Sequence, residues 1–339
     1  MEKVRLGKTS QQVSQVCLGC MLMGSTVDEV TSFAMLDRFT GEGGNFLDTA
    51  NCYAWWLGAG ECVGDESETV VGRWLKHRSK RDKVFLATKA GARLKDPHRI
   101  RDAEGNVMWQ MLPGEYEHLS PEVIRRGVEG SLRRLQTDYI DLYYAHIDDR
   151  CTALEDTLEA LNQLVKEGKV RYIGCSNYRT WRLERARNIS AAYGWASYVA
   201  VQQQYSYLRP KPGAQFGVMV NVDDELLDYL CANEDVTLLA YSPLLKGIYD
   251  DRQKREAYYN WALFNNDDAR VRLTVLSEMA REVGVTNSQL VLAWLLHHRR
   301  PPVIPIWGFR CLEQFEQGLA SLAIRLTDDH LAALNRASA

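Results

Sequence analysis

The sequence predicts a single α/β domain over residues 1–339, a parallel (β/α)8 barrel of the TIM class. Two observations carry that prediction. Eight short apolar runs alternate with stretches of helical period, and no Pro-, Gly- or Ser-rich linker splits the chain. The runs are also mostly apolar rather than strictly alternating, which suits strands covered by helices outside and by a packed interior.

In chain order, strands are expected at 16–18, 45–48, 84–88, 140–144, 170–174, 198–202, 236–241 and 303–306. Helices between them are expected at 67–77, 121–135, 154–167, 181–193, 223–233 and 273–283. Ser120-Pro121-Glu122 opens a helix with Pro at its first position, and Glu167-Gly168-Lys169 closes one with Gly ready for a left-handed cap. A doubly wound nucleotide-binding fold competes. Its support is Gly58-Ala-Gly60-Glu-Cys-Val-Gly64, but a phosphate-binding fingerprint must follow a strand directly and open a helix. Here Trp55-Trp56-Leu57 precedes it, its third Gly comes one residue late and the helix starts near Ser67, so a flexible loop is the better reading.

Composition narrows the function. With 46% hydrophobic residues, 25% charged and a net charge of -3, the chain is of ordinary globular type and lacks the basic face a nucleic acid requires. The run His297-His298-Arg299-Arg300 closes an apolar stretch and reads as a helix C-terminal cap. No segment approaches the roughly 20 apolar residues of a membrane helix. The start, Met-Glu-Lys-Val-Arg-Leu-Gly, is polar, so a cytoplasmic protein without membrane or nucleic-acid partner is expected. Eight cysteines are scattered, and Cys17-Leu-Gly-Cys20 has no second pair at zinc spacing, so no metal is expected.

Chemistry in such a barrel collects at the C-terminal ends of strands. Reading those ends in order gives Asp48, with Tyr53 in the loop that follows, then Lys89, then His146. Singly, Asp48 also reads as a turn cap and His146 as a satisfied core histidine. An ammonium ending an apolar strand, however, needs a partner, and Asp48 is the nearest candidate. Four polar groups on adjacent strands converge on one rim. A phenol near pKa 10 is a poor acid, and Lys89 beside Tyr53 is expected to lower that value. Tyr53 then donates a proton to a carbonyl oxygen that His146 orients. An acid with neither nucleophile nor metal suits hydride addition to a carbonyl, the hydride coming from a cofactor.

At this point the chain resembles the aldo-keto reductase superfamily. The matching pieces are Phe46-Leu-Asp-Thr-Ala50 with Tyr53, Ala87-Thr-Lys89, Leu135 to His146, Glu167 to Asn177, Val201-Gln202 and Ala240-Tyr-Ser-Pro-Leu244, in family order over nearly the whole length. The resemblance implies that Asp48, Tyr53, Lys89 and His146 form the family's catalytic tetrad. It implies that Ser176, Asn177 and Gln202 hold a nicotinamide carboxamide, that Tyr241 stacks on the ring, and that Ser242 and Leu244 contact the pyrophosphate. Pro305-Ile-Trp-Gly-Phe-Arg310 resembles the family's last cofactor loop, with Trp307 where proline is usual. There Gly308, Arg310, Gln314 and Gln317 are implied cofactor contacts, Arg310 on the 2′-phosphate of NADPH. The family's Glu-Asn adenine clamp is replaced by Gln317-Gly318, which leaves NADH open. Ile147 and Asp148 depart from the family's usual residues and alter the wall beside His146.

Three long loops surround this rim: 55–64, 90–119 and 246–268. Trp55, Trp56 and Trp109 in the first two are the candidate substrate contacts, since aromatic walls suit sugars, aromatic rings and apolar ketones alike. The expectation is therefore an NADPH-dependent reductase of a small-molecule aldehyde or ketone, a sugar or natural-product carbonyl among them. The alternatives are an NAD(P)-dependent alcohol or sugar dehydrogenase, or a nucleotide-binding regulatory subunit with slow turnover. A metal-dependent barrel hydrolase would need more than one His among the strand ends. No oligomeric state is expected from the sequence.

Overall fold

The computed structural model describes residues 1–338. Eight parallel strands close into a barrel: β1 Cys17–Gly19, β2 Phe46–Asp48, β3 Phe85–Ala90, β4 Ile140–Ala145, β5 Val170–Ser176, β6 Tyr198–Gln204, β7 Thr237–Tyr241 and β8 Val303–Trp307. β8 pairs with β1 through Ile306 and Cys17, which closes the ring. This is the predicted (β/α)8 architecture, and each expected strand end falls within two residues of its place. The helix Pro121–Leu135 has the predicted bounds and start: the Ser120 side chain accepts from the Val123 N–H. Gly168 takes φ +72°, the left-handed conformation expected after the helix Leu154–Lys166. The glycines from Gly58 to Gly64 lie in a loop, and the helix Glu66–Arg78 begins after it.

Side chains alternate inward and outward along each strand. Cys17, Phe46, Phe85, Ala87, Leu142, Ala200, Leu239 and Ile304 fill the interior, so the barrel is packed and not a pore. An N-terminal hairpin unassigned from sequence, Lys3–Arg5 paired with Gln12–Ser14, adds Leu6 and Val13 to that interior cluster. It leads directly into β1 and so stoppers the end away from the strand termini. The helices Glu29–Gly41, Leu312–Ala320 and Asp328–Arg336 also escaped the periodicity reading. His297 caps its helix as expected, its Nδ1 lying 2.8 Å from the Ala293 carbonyl. His298 instead meets the Tyr205 hydroxyl at 3.2 Å and the Pro301 carbonyl at 2.8 Å. No described helix is long and apolar enough to cross a membrane.

Candidate active site

The four polar residues meet at the C-terminal mouth. Asp48 ends β2 and Lys89 lies one residue before the end of β3, so inward alternation aims both into the barrel. Lys89 is fully buried and Asp48 nearly so, a placement tolerable for charges only when every bond is made. Each of the three ammonium hydrogens finds an acceptor: Asp48 Oδ1, the Thr49 carbonyl at 2.7 Å and the Tyr53 hydroxyl oxygen at 2.6 Å. The second Asp48 oxygen accepts from Gln202 Nε2 at 2.9 Å. Directly after Tyr53, Ala54 adopts φ +74°, a left-handed turn. Since Lys89 donates to the phenol oxygen, the phenol's own hydrogen points elsewhere. Its protein acceptor, Asp48 Oδ1, is at the 3.5 Å limit, so that hydrogen is poorly held.

One expectation is corrected. Burial, and after it the Asp48 charge, push the Tyr53 phenol well above its ordinary value, where the sequence reading expected Lys89 to lower it. The ammonium is present, but its field is matched by the carboxylate bonded to it, and the depth of burial then decides the sign. Tyr53 is therefore protonated at neutral pH. His146 follows β4 directly, its ring 5.7 Å from that of Tyr53 and nearly perpendicular to it. Burial, then the Lys89 charge, hold its imidazole well below the ordinary range, so it is neutral.

The cofactor candidates line the next strands. Ser176 donates to the Gln202 carbonyl at 2.8 Å. Asn177, at φ +62°, uses its whole amide: Nδ2 donates to the His146 carbonyl and to Ser176 Oγ, while Oδ1 accepts from Val220 N and the Tyr241 hydroxyl. It ties the ends of β4, β5 and β7 together. Gln204, not singled out from sequence, also ends a strand, and its buried Nε2 has no partner. The signal was the Gln202-Gln203-Gln204 run, whose first and third residues share the interior face. After Tyr241, Ser242, Leu245, Lys246 and Gly247 all take positive φ, +51°, +45°, +63° and +87°, the kind of strained turn found at ligand clamps. Leu244 packs partly against the core.

Across the mouth, Arg310 is exposed, and Gln314 Oε1 holds its loop by accepting from the Arg310 N–H at 3.1 Å. Partial desolvation, then the charge of Arg310, lower the Lys246 ammonium, so the two cations lie near enough to feel each other. The Gln317-Gly318 departure has a packing cause: a Cβ at position 318 would lie 2.3 Å from Cζ of Phe309. The Gln317 carbonyl accepts from Gln289. Gly308 is exposed and Trp307 is buried, in edge contact with Phe309.

Trp55 is buried in a cluster with Tyr53, Cys52, Ile147 and Tyr116, and Trp56 packs on its edge. Trp109 is 60% exposed, with its ring 5.9 Å from Trp55. Ile147 joins this cluster beside Tyr53, whereas Asp148 pairs with Arg182 and Arg150. In the third loop, Tyr249 and Phe264 are core residues rather than pocket residues. A separate cavity of about 430 Å³, lined by Arg150, Tyr178, Trp181 and Asn221 among others, includes none of the four polar residues.

This barrel and rim define a carbonyl oxidoreductase of the (β/α)8 type. The profile of the Aldo/keto reductase family matches residues 15–339, and the chain belongs to that family, whose members use nicotinamide cofactors. It is 33% identical to the uncharacterized oxidoreductase YrpG of Bacillus subtilis, over 99% of this chain and 95% of that one. It is 31% identical to norsolorinic acid reductase stcV of Emericella nidulans, over 94% of this chain and 77% of the relative. It is 27% identical to the aryl-alcohol dehydrogenase [NADP(+)] of Phanerodontia chrysosporium, over 95% and 82%. Among solved structures, the thermostable aldo-keto reductase Tm1743, in complex with the inhibitor epalrestat, superposes with a TM-score of 0.72 at 26% identity, covering 99% of both chains. The chain is an oxidoreductase acting on carbonyl or alcohol groups. Its residues fit a nicotinamide cofactor: the unpartnered Gln204 amide and the left-handed turn after Tyr241 suit an amide and a pyrophosphate in turn.

Proposed function

We propose that the protein is an NADPH-dependent reductase of aldehydes and ketones in which Tyr53 is the proton donor, working as one unit over residues 1–339 in the cytoplasm on a small-molecule carbonyl. The observation that carries this is the saturated Lys89 ammonium, bonded at once to Asp48 and to the phenol oxygen. When bound, the reduced nicotinamide supplies a hydride to the carbonyl carbon. As the carbonyl oxygen gains charge, Tyr53 releases its loosely held proton to it. Lys89, 2.6 Å away, stabilises the phenolate left behind, and Asp48 keeps Lys89 in place. Solvent then restores the phenol's proton. His146, neutral, donates a hydrogen bond to the same oxygen.

Gln202 and Gln204 carry the amide groups with free valence for the carboxamide, and Asn177 and Ser176 hold the strands that present them. Tyr241 offers the stacking face. Arg310 and Lys246 supply the charge for a 2′-phosphate, which favours NADPH over NADH, in keeping with the relative named for NADP(+). Trp55, Trp56 and Trp109 suit a flat aromatic body on the substrate. The reverse direction, alcohol oxidation, uses the same groups.

Titration with NADPH and then NADH, followed by quenching of the nine tryptophans, tests the reading together with a panel of aryl aldehydes. Saturation that is tighter with NADPH, with NADPH consumed in the presence of an aldehyde, is the expected result. Binding without turnover across the panel would favour the regulatory-subunit alternative.

A further inference from the structure

Cys52 is a buried thiol that the reaction above leaves without a task. It precedes Tyr53 in sequence, yet its Sγ lies 3.4 Å from Nδ1 of His146, a residue 94 positions away. His146 is held from the backbone side: its N–H donates to the Ala90 carbonyl at 2.9 Å and its carbonyl accepts from Asn177 at 3.0 Å.

A neutral imidazole carries one N–H, and only the nitrogen bearing it can donate to a substrate oxygen. Cys52 is itself neutral, because burial pushes its thiol up to about 12. The sulfur–nitrogen contact can be made in two ways. A neutral thiol sulfur is a weak acceptor, whereas an unprotonated imidazole nitrogen is a good one, so donation from S–H to Nδ1 is the stronger bond. Nδ1 is then the acceptor and the ring hydrogen resides on Nε2. Among the described residues Nε2 has no hydrogen-bond partner, which leaves it available to a ligand.

We propose that Cys52 is a positioning residue: its thiol donates to Nδ1 of His146 and thereby holds the ring in the Nε2–H tautomer, the form able to donate to the substrate's carbonyl oxygen. The catalytic consequence rests on the proposed reductase function; the tautomer itself does not. The loop that carries the proton donor Tyr53 thus also sets the second donor.

The test is 15N NMR of histidine-labelled protein near neutral pH, with the His146 signals identified by their loss in His146→Asn. Wild type and Cys52→Ser, which keeps a donor, are expected to carry the ring proton on Nε2. Cys52→Val, similar in size but without a donor, should move proton population to Nδ1. It should also lower kcat/KM by about three- to tenfold, one neutral hydrogen bond's worth, with NADPH affinity unchanged. Serine restoring both the tautomer and the rate separates hydrogen bonding from packing. A wild type protonated on Nδ1, or a valine variant with tautomer and rate unchanged, overturns the proposal. A valine variant that moves the proton in a protein reducing no carbonyl supports the thiol's role and overturns only the reductase reading.

Discussion

Replacing Tyr53 by Phe removes one oxygen and leaves its surroundings standing. Lys89 keeps two of its three acceptors, Asp48 and the Thr49 carbonyl at 2.7 Å. The stability cost is at most that of one charged hydrogen bond, about 1.5–3 kcal/mol, against a total of roughly 5–15 kcal/mol, so the variant folds. Turnover should fall far more. A positioned general acid contributes about 10²–10⁴-fold, or roughly 2.7–5.4 kcal/mol of barrier at ~1.36 kcal/mol per tenfold. The assay is single-turnover NADPH oxidation with an aryl aldehyde, beside a fluorescence titration that should show unchanged NADPH affinity. Because Lys89 acts through the phenol, Lys89→Met added to Tyr53→Phe should cost little further turnover. Its stability must be followed by urea melts, since Asp48 then stays buried with Gln202 as its remaining partner and the broken pair costs about 3–5 kcal/mol. A Tyr53→Phe enzyme within tenfold of wild type, or a double variant whose loss equals the product of the two single losses, would refute the reasoning.

Arg310→Ala should weaken NADPH by about 1–3 kcal/mol, one charged contact, and leave NADH nearly untouched; equal weakening of both would remove Arg310 from the 2′-phosphate. The Arg101 guanidinium donates to the carbonyls of Trp55 at 2.6 Å, Gly58 at 2.8 Å and Gly105 at 2.6 Å, stapling the first two loops together. Arg101→Ala should therefore raise KM for a large aromatic aldehyde about tenfold and spare a small aliphatic one, and steady-state kinetics with equal losses on both would count against an aromatic wall at Trp55. Because the folded-state pKa of His146 is depressed from 6.5, the unfolded chain takes up a proton that the native ring refuses as pH falls through that value. Stability should consequently drop below about pH 6.5, and His146→Asn should flatten that drop in urea melts; parallel curves for the two proteins would mean the ring is not held neutral.

The alternation of apolar runs and helices was legible because parallel strands buried on both faces are mostly apolar, with their polar residues gathered largely near the C-terminal ends. The same logic exposed Lys89, since an ammonium ending a strand such as Phe-Leu-Ala-Thr-Lys is anomalous unless paired, and it drew Asp48 and Tyr53 in with it. Other features gave no comparable sign. The hairpin Lys3–Arg5 with Gln12–Ser14 is too short for a periodicity, and Leu6 and Val13 matter only because the barrel's end needs closing. Gln204 differs from its neighbour Gln203 by one step of strand parity and by a missing partner.

The sequence by itself determined the barrel and the family and pointed to the four polar residues of the rim, because each depends on residue type and on order along the strands and the loops that follow them. The tertiary structure alone decided the sign of the Tyr53 shift, the seating of Phe309 on Gly318 and the contact of Cys52 with His146. Those depend on burial depth and on distances of a few ångströms between residues far apart in the chain, and local pattern carries no record of either.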